Sequence, residues 1–203
     1  VFAVIKMSTL ESSAVTANLI TLCDRQQLPA EVRRTACDAM GARVEGPEQL
    51  LAALERHARF LEGTTSPPVG ALARAAARME ETRAVPLLIS HLRDPATPGA
   101  ALLPVLDALG ALGDRDAANP IRDFLRLYHA DGEDDDLVVA LGAGIEALVL
   151  LEGPVARPTL DELAADPLGV PQVRGKARDA AAALDEADAE ARERDTERDT
   201  PTE

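Results

Sequence analysis

The chain has 203 residues, with 35 acidic against 21 basic side chains and a net charge of −14. So acidic a chain repels phosphate backbones, and we expect no nucleic-acid partner. Hydrophobic residues make up 46 % of the chain but aromatic residues only 2 %, so we expect a continuous core of Ala, Leu and Val. The longest apolar run, residues 137–151, is shorter than the about 20 residues that cross a membrane, and we predict no membrane span.

Two features bear on the source and the compartment. Arginine outnumbers lysine 19 to 2, which is typical of a GC-rich, bacterial genome. The sequence begins with Val1 rather than Met, so we expect a processed product, a piece of a longer chain or a subunit of a larger complex. We favour a cytoplasmic location, with a removed signal peptide as the open alternative.

Two sequence motifs recur along the chain. Residues 32–41 (VRRTACDAMG) return in part at 173–180 (VRGKARDA), and a second motif recurs around Pro86, Pro120 and Pro158, which are 34 and 38 residues apart. A period in the thirties with helical composition predicts an all-α solenoid of about five helix pairs. In chain order, with the first helix of each pair called A and the second B, the predicted pairs are 12–24 and 29–42, 47–61 and 69–80, 84–92 and 99–112, 117–129 and 137–151, and 155–165 and 171–184.

The ends of the chain differ from the repeats. We interpret residues 1–9 as a lead-in, residues 10–184 as the solenoid and residues 185–203 as a charged, disordered tail. The first pair has no polar capping helix before it, so residues 1–6 or another chain must cover its outer face.

The two cysteines are predicted to be free. Cys23 lies about four residues before the middle of the first turn and Cys37 about ten residues after it, which offsets them by roughly 9 Å along antiparallel helices. A disulfide needs Cα atoms within about 7 Å, so we expect two mostly buried thiols.

The two recurring sequence motifs resemble HEAT repeats of the bacterial type named after phycobilin lyase subunits. The family pattern of the B helix is matched by Val32, Arg33, Ala36 and residues 39–41, and that of the A helix by residues 84–88. The second pair departs from it with Leu51 in place of the proline, and the fourth lacks the Val-Arg pair. The resemblance implies a right-handed α-α superhelix and, for most members, a protein-interaction scaffold; a minority are subunits of enzymes that attach or remove bilins.

In such a stack the B helices line the concave face, and the resemblance places one exposed residue per repeat there. We predict that a partner, a helix or extended segment with basic residues, binds this face. The alternative is that these are solvated helix positions and that their small neighbours serve packing. The predicted partner-binding residues are Asp38, Arg74, Asp107, Glu146 and Asp179, with Leu103 and Ala143 from a neighbouring row that supplies an apolar floor.

We therefore expect a non-catalytic protein–protein interaction scaffold or assembly subunit, without catalytic residues, metal or cofactor. The alternative is an accessory subunit of a bilin lyase-like enzyme, against which the scarcity of aromatic residues argues.

Residues 131–136 (DGEDDD) could hold Ca²⁺, but we favour a solvated turn whose last Asp caps the next helix. His57, His91 and His129 are expected at the surface or boundary of A helices, and Phe124 is expected to pack inward.

Overall fold

Helices form the described part of the chain. The computed structural model describes residues 1–59 and 68–198, and no β-strand occurs among them. Short 3-10 turns precede α6, α8 and α10. The α-helices are α1 (Phe2–Ser8), α2 (Ser13–Asp24), α3 (Ala30–Gly41), α4 (Pro47–Arg59), α5 (Val69–Arg78), α6 (Val85–Leu92), α7 (Gly99–Leu112), α8 (Ala118–Tyr128), α9 (Asp135–Glu152), α10 (Arg157–Ala165) and α11 (Pro171–Arg198).

The all-α prediction is confirmed, and most predicted helix ends lie within two residues of the observed ones. The predicted end of the A helix of the second pair, at residue 61, and most of the loop after it lie outside the described residues.

Acidic side chains cap the starts of two A helices. The carboxylates of Glu81 and Asp114 accept hydrogen bonds from the backbone N–H of Arg83 (3.1 Å) and Asp116 (3.0 Å). Each carboxylate thus pairs with a backbone N–H group that would otherwise have no partner at the start of the helix.

The helices pack in two sets. Helices α2, α4, α6, α8 and α10 form what we call the A layer, and α3, α5, α7, α9 and α11 the B layer. Each A helix contacts the B helix that follows it, and each B helix contacts the next B helix along the chain. The core between them is built from aliphatic side chains, and Leu72, Leu106 and Leu141 are among the largest that are fully buried.

The ends of the chain are helical as far as they are described. The lead-in contains α1, which packs on α2 and α3 and buries Val4. At the other end, where we expected a disordered segment from residue 185, α11 continues to Arg198. Alanines with high helix propensity and pairs four residues apart, such as Arg192 with Asp188 (3.3 Å), favour this extension.

The prediction of two free thiols is wrong, because Cys23 of α2 and Cys37 of α3 form a disulfide with their Cα atoms 4.9 Å apart. The predicted 9 Å offset applied the helical rise to the whole connection. The backbone is instead extended at Arg25 and Pro29, and an extended residue advances about 3.3 Å rather than 1.5 Å. Helix α3 therefore starts farther beyond the end of α2, and Cys37 returns to the level of Cys23.

One described stretch is long and apolar enough to cross a membrane by length and composition. It lies within Asp135–Ala165 and has a mean hydropathy of 1.8 over its best window, which corrects the expectation drawn from residues 137–151. That window is 44 % buried inside the structure, and α9 contacts α7, α8 and α11. A helix packed on several sides has the same composition as a membrane span, so this feature is weak evidence for one.

Candidate partner-binding surface on the B layer

The five residues predicted to form an exposed row lie at the surface, one on each helix of the B layer. Asp38 is on α3, Arg74 on α5, Asp107 on α7, Glu146 on α9 and Asp179 on α11, and all five are exposed. We call these five residues the B-layer row. Their exposure follows from the repeat register, because the intervening Ala, Val and Leu positions of each helix face the core.

The charges of the B-layer row are more mixed than the sequence indicated. Lys176 of α11 donates a hydrogen bond to the carboxylate of Glu146, so the two form an ion pair. At the other end, the Arg74 side chain lies over α3, since a Cβ built on Gly41 would be 3.0 Å from Arg74 Nε. Basic groups therefore flank the acidic centre on both sides, with Arg74 in the row itself and Lys176 beside it.

Asp107 is the acid at the centre of the B-layer row. Partial desolvation and, secondarily, the charge of Glu146 raise the pKa of the Asp107 carboxyl above its ordinary value. No hydrogen bond or ion pair to this carboxylate occurs within residues 1–59 and 68–198. The ionised carboxylate of Asp107 is therefore incompletely hydrated and is repelled by the charge of Glu146. A basic group of a partner would relieve both effects.

The neighbouring row provides less apolar surface than predicted. Leu103 is half-buried, but Ala143 is only 6 % exposed and Pro104 and Ala71 are buried between helices. The structure therefore assigns Ala143 to packing within the B layer, which corrects its placement on a partner-binding floor. The physical reason is that small side chains let adjacent B helices approach until little of the space between them reaches solvent.

The acidic stretch 131–136 forms the turn before α9. Asp134, not the last Asp, caps the helix: its carboxylate accepts a hydrogen bond from the backbone N–H of Asp136 at 2.9 Å. The carboxylates of Asp135 and Asp136 stand in the first turn of α9, where the helix dipole favours negative charge. Among the residues that the structure describes, no group of three His, Cys, Asp or Glu side chains could hold a metal ion.

The histidines divide into different environments. His91 is 2 % exposed, so the expectation that it lies at the surface is wrong. Its ring hydrogen-bonds the backbone of Leu54, and burial lowers the pKa of the imidazole. His129 is half-buried at the end of α8, where Nε2 is 2.7 Å from a carboxylate oxygen of Asp166; the side chain of His57 lies outside the described residues.

Sequence reasoning missed two small cavities beside α8, of which one lies between α6 and α8 and the other also reaches the starts of α7 and α9. They have volumes of about 130 and 110 Å³ and share the lining residues Leu92, Phe124 and Tyr128. Phe124 packs inward as predicted, at 4 % exposure, and its ring lies 5.3 Å from that of Tyr128. The available signal was the spacing of these two aromatic residues, four apart and hence on one face of α8.

Comparisons with family models, with curated proteins and with solved structures give no match for this chain.

Proposed function

We propose that the chain is a non-catalytic protein-binding scaffold, built as a right-handed HEAT-like solenoid in which the B layer forms the concave face. The helix pairing and the contact of each B helix with the next support this architecture. Stacks of this kind present an extended surface to which each repeat contributes a few side chains.

The observation that carries the proposal is the environment of Asp107. Its carboxylate stands at the surface of the middle B helix without a hydrogen-bond partner among the described residues, and its pKa is raised by desolvation and by Glu146. A basic side chain of a partner placed beside Asp107 would neutralise this carboxylate, whereas Glu146 is already paired with Lys176. Such complementarity contributes to specificity and to the rate of association.

The flanking charges define the partner further. Arg74 on one side and Lys176 on the other repel basic residues, so the partner segment carries its basic residue in the middle and neutral or acidic residues toward its ends. A helix or an extended segment satisfies this requirement. Leu103, which is half-buried beside this row, supplies a small apolar contact.

The test uses the purified chain as bait in lysate from its own source, with retained proteins identified by mass spectrometry. Asp107→Lys reverses the central charge, whereas Asp116→Lys makes the same change at an exposed position in the turn before α8. We expect one retained protein that is lost with Asp107→Lys and kept with Asp116→Lys. Glu146→Lys is less informative, because it also breaks the ion pair with Lys176.

Purified partner and hydrogen exchange complete the test. The proposal predicts slower exchange in α7 and α9 upon binding. Retention by both variants together with protection confined to the A layer would overturn the assignment to the B layer. Mixing with free bilin and recording absorbance addresses the bilin lyase-like alternative, for which we expect no spectral change.

A further inference from the structure

A second surface of the molecule, separate from the B-layer row, combines small apolar cavities with surrounding carboxylates. It is the pair of adjoining cavities beside α8, which we call the A-layer groove: one lies between α6 and α8 of the A layer, and the other also reaches the starts of α7 and α9. Leu92, Phe124 and Tyr128 line both cavities. Leu127 stands on the rim with 71 % of its surface exposed.

The size of the A-layer groove selects the kind of occupant. Cavities of about 130 and 110 Å³ are smaller than the about 300–1,000 Å³ that enclose cofactors and drug-sized ligands. They suit single apolar side chains, which anchor protein interfaces when they enter preformed pockets. The aromatic floor and the exposed Leu127 provide the apolar contact area for such an anchor.

The charge around the groove selects the residues beside the anchor. Asp94, Asp123 and Asp134 line the two cavities, whereas Arg93 is the basic residue among their lining side chains. Asp134 belongs to the exposed acidic stretch 131–136, which carries five carboxylates. The surroundings of the groove are therefore strongly negative, and a segment with lysine or arginine beside its anchor is electrostatically complementary.

Tyr128 adds a polar contact inside the groove. Its side chain is half-buried against Phe124, and its hydroxyl makes no hydrogen bond within the described part of the chain. Tyrosine combines a rigid apolar ring with a hydroxyl that can donate or accept, which is why it is frequent where proteins meet. The Tyr128 hydroxyl is therefore available to a segment that occupies the groove.

We propose that the A-layer groove binds a basic segment of a partner protein, which inserts one Leu-sized or Met-sized side chain between α6 and α8 and places Lys or Arg beside Asp94, Asp123 and Asp134. Asp107 and the other residues of the B-layer row line neither cavity. The two proposals therefore concern separate sites and fail or succeed separately.

The composition of the chain supplies a reporter for this site. Tyr128 is the one tyrosine and there is no tryptophan, so intrinsic tyrosine fluorescence of the full chain reports on the groove alone. The probe is the blocked peptide GSKKLKSG, which itself lacks aromatic residues. Two matched peptides replace its leucine by serine (GSKKSKSG) or its lysines by glutamate (GSEELESG).

We expect GSKKLKSG to change the tyrosine emission with a Kd of about 1 mM or tighter, and each matched peptide to bind about tenfold more weakly because it lacks the anchor or the charge. Leu127→Asp should weaken GSKKLKSG about tenfold. Leu150→Asp is the control, because Leu150 is 72 % exposed on α9 and lines neither cavity. Circular dichroism of both variants verifies that the helices remain.

Three results would overturn the proposal. Equal binding of the leucine and serine peptides would mean that charge alone attracts them and that the cavities take no anchor. Equal effects of Leu127→Asp and Leu150→Asp would place the contact elsewhere. Self-association in light scattering that Leu127→Asp abolishes, without any peptide response, would make a second copy of this chain the occupant.

Discussion

Gly70 of α5 faces Pro104 of α7 so closely that a Cβ built on Gly70 would lie 2.8 Å from Cγ of the proline. Pro104 is buried inside α7, and its ring cannot rotate away as a flexible side chain would. The absence of a side chain at residue 70 therefore sets how closely these two B helices approach, and with it the spacing of Arg74 and Asp107 along the B-layer row.

Gly70→Ala should consequently lower the free energy of unfolding by about 1–3 kcal/mol, because the added methyl group overpacks the contact. Gly142→Ala is the matched control: nothing lies within 4 Å of its built Cβ, so higher helix propensity should stabilise the protein by about 0.5–1 kcal/mol. Urea denaturation followed by circular dichroism measures both. If both variants gain stability equally, α5 and α7 do not pack this closely.

Reduction of the Cys23–Cys37 disulfide should destabilise the chain. The bridge spans a sequence separation of 14, and closing a loop of about 15 residues contributes about 3 kcal/mol in the chain-entropy account. We expect a lower Tm in the presence of reductant, and alkylation of two thiols in the intact mass only after reduction. The double variant Cys23→Ser, Cys37→Ser should show the lower Tm and no response to reductant; alkylation of the untreated, oxidised protein would contradict the bridge.

Asp107→Asn should raise stability at neutral pH. Desolvation, followed by the charge of Glu146, raises the pKa of Asp107 in the folded protein above its ordinary 3.8, so the folded state resists ionisation and stability falls as the pH rises through that raised pKa. The asparagine variant lacks this loss, and its advantage should shrink as the pH falls toward 3.8. Thermal unfolding at several pH values measures the effect. Asp179→Asn, which changes an exposed carboxylate on α11, should shift Tm far less.

His91 should make the fold sensitive to mild acid. Burial lowers the pKa of its imidazole below the ordinary 6.5, and the hydrogen bond to the backbone of Leu54 offsets this only in part. Its contribution to stability is therefore complete above pH 6.5 and is lost as the pH falls toward the lowered pKa. We expect the drop in Tm between pH 7.5 and pH 5.5 to be smaller in His91→Leu than in the parent chain. His129→Gln, at a half-buried position, should retain the drop; an unchanged drop in His91→Leu would contradict the assignment.

The sequence alone determined the helical class, the pairing and most helix ends of this protein. These depend on local signals: proline within the first turn of α6 and α10, capping acids such as Glu81 and Asp114, and apolar residues at helical spacing. The exposure of Asp38, Arg74, Asp107, Glu146 and Asp179 agrees with what the resemblance to HEAT repeats implied.

The tertiary structure decided what depends on distances between helices. The disulfide exists because extended backbone at Arg25 and Pro29 moves the start of α3, which no helical rise predicts. The pairing of Lys176 with Glu146 and the burial of Ala143 depend on how closely α9 meets its neighbours. The cavities beside α8 exist only where Leu92 of α6 and Phe124 of α8 meet, because a void is a property of packing between elements and leaves no pattern within either one.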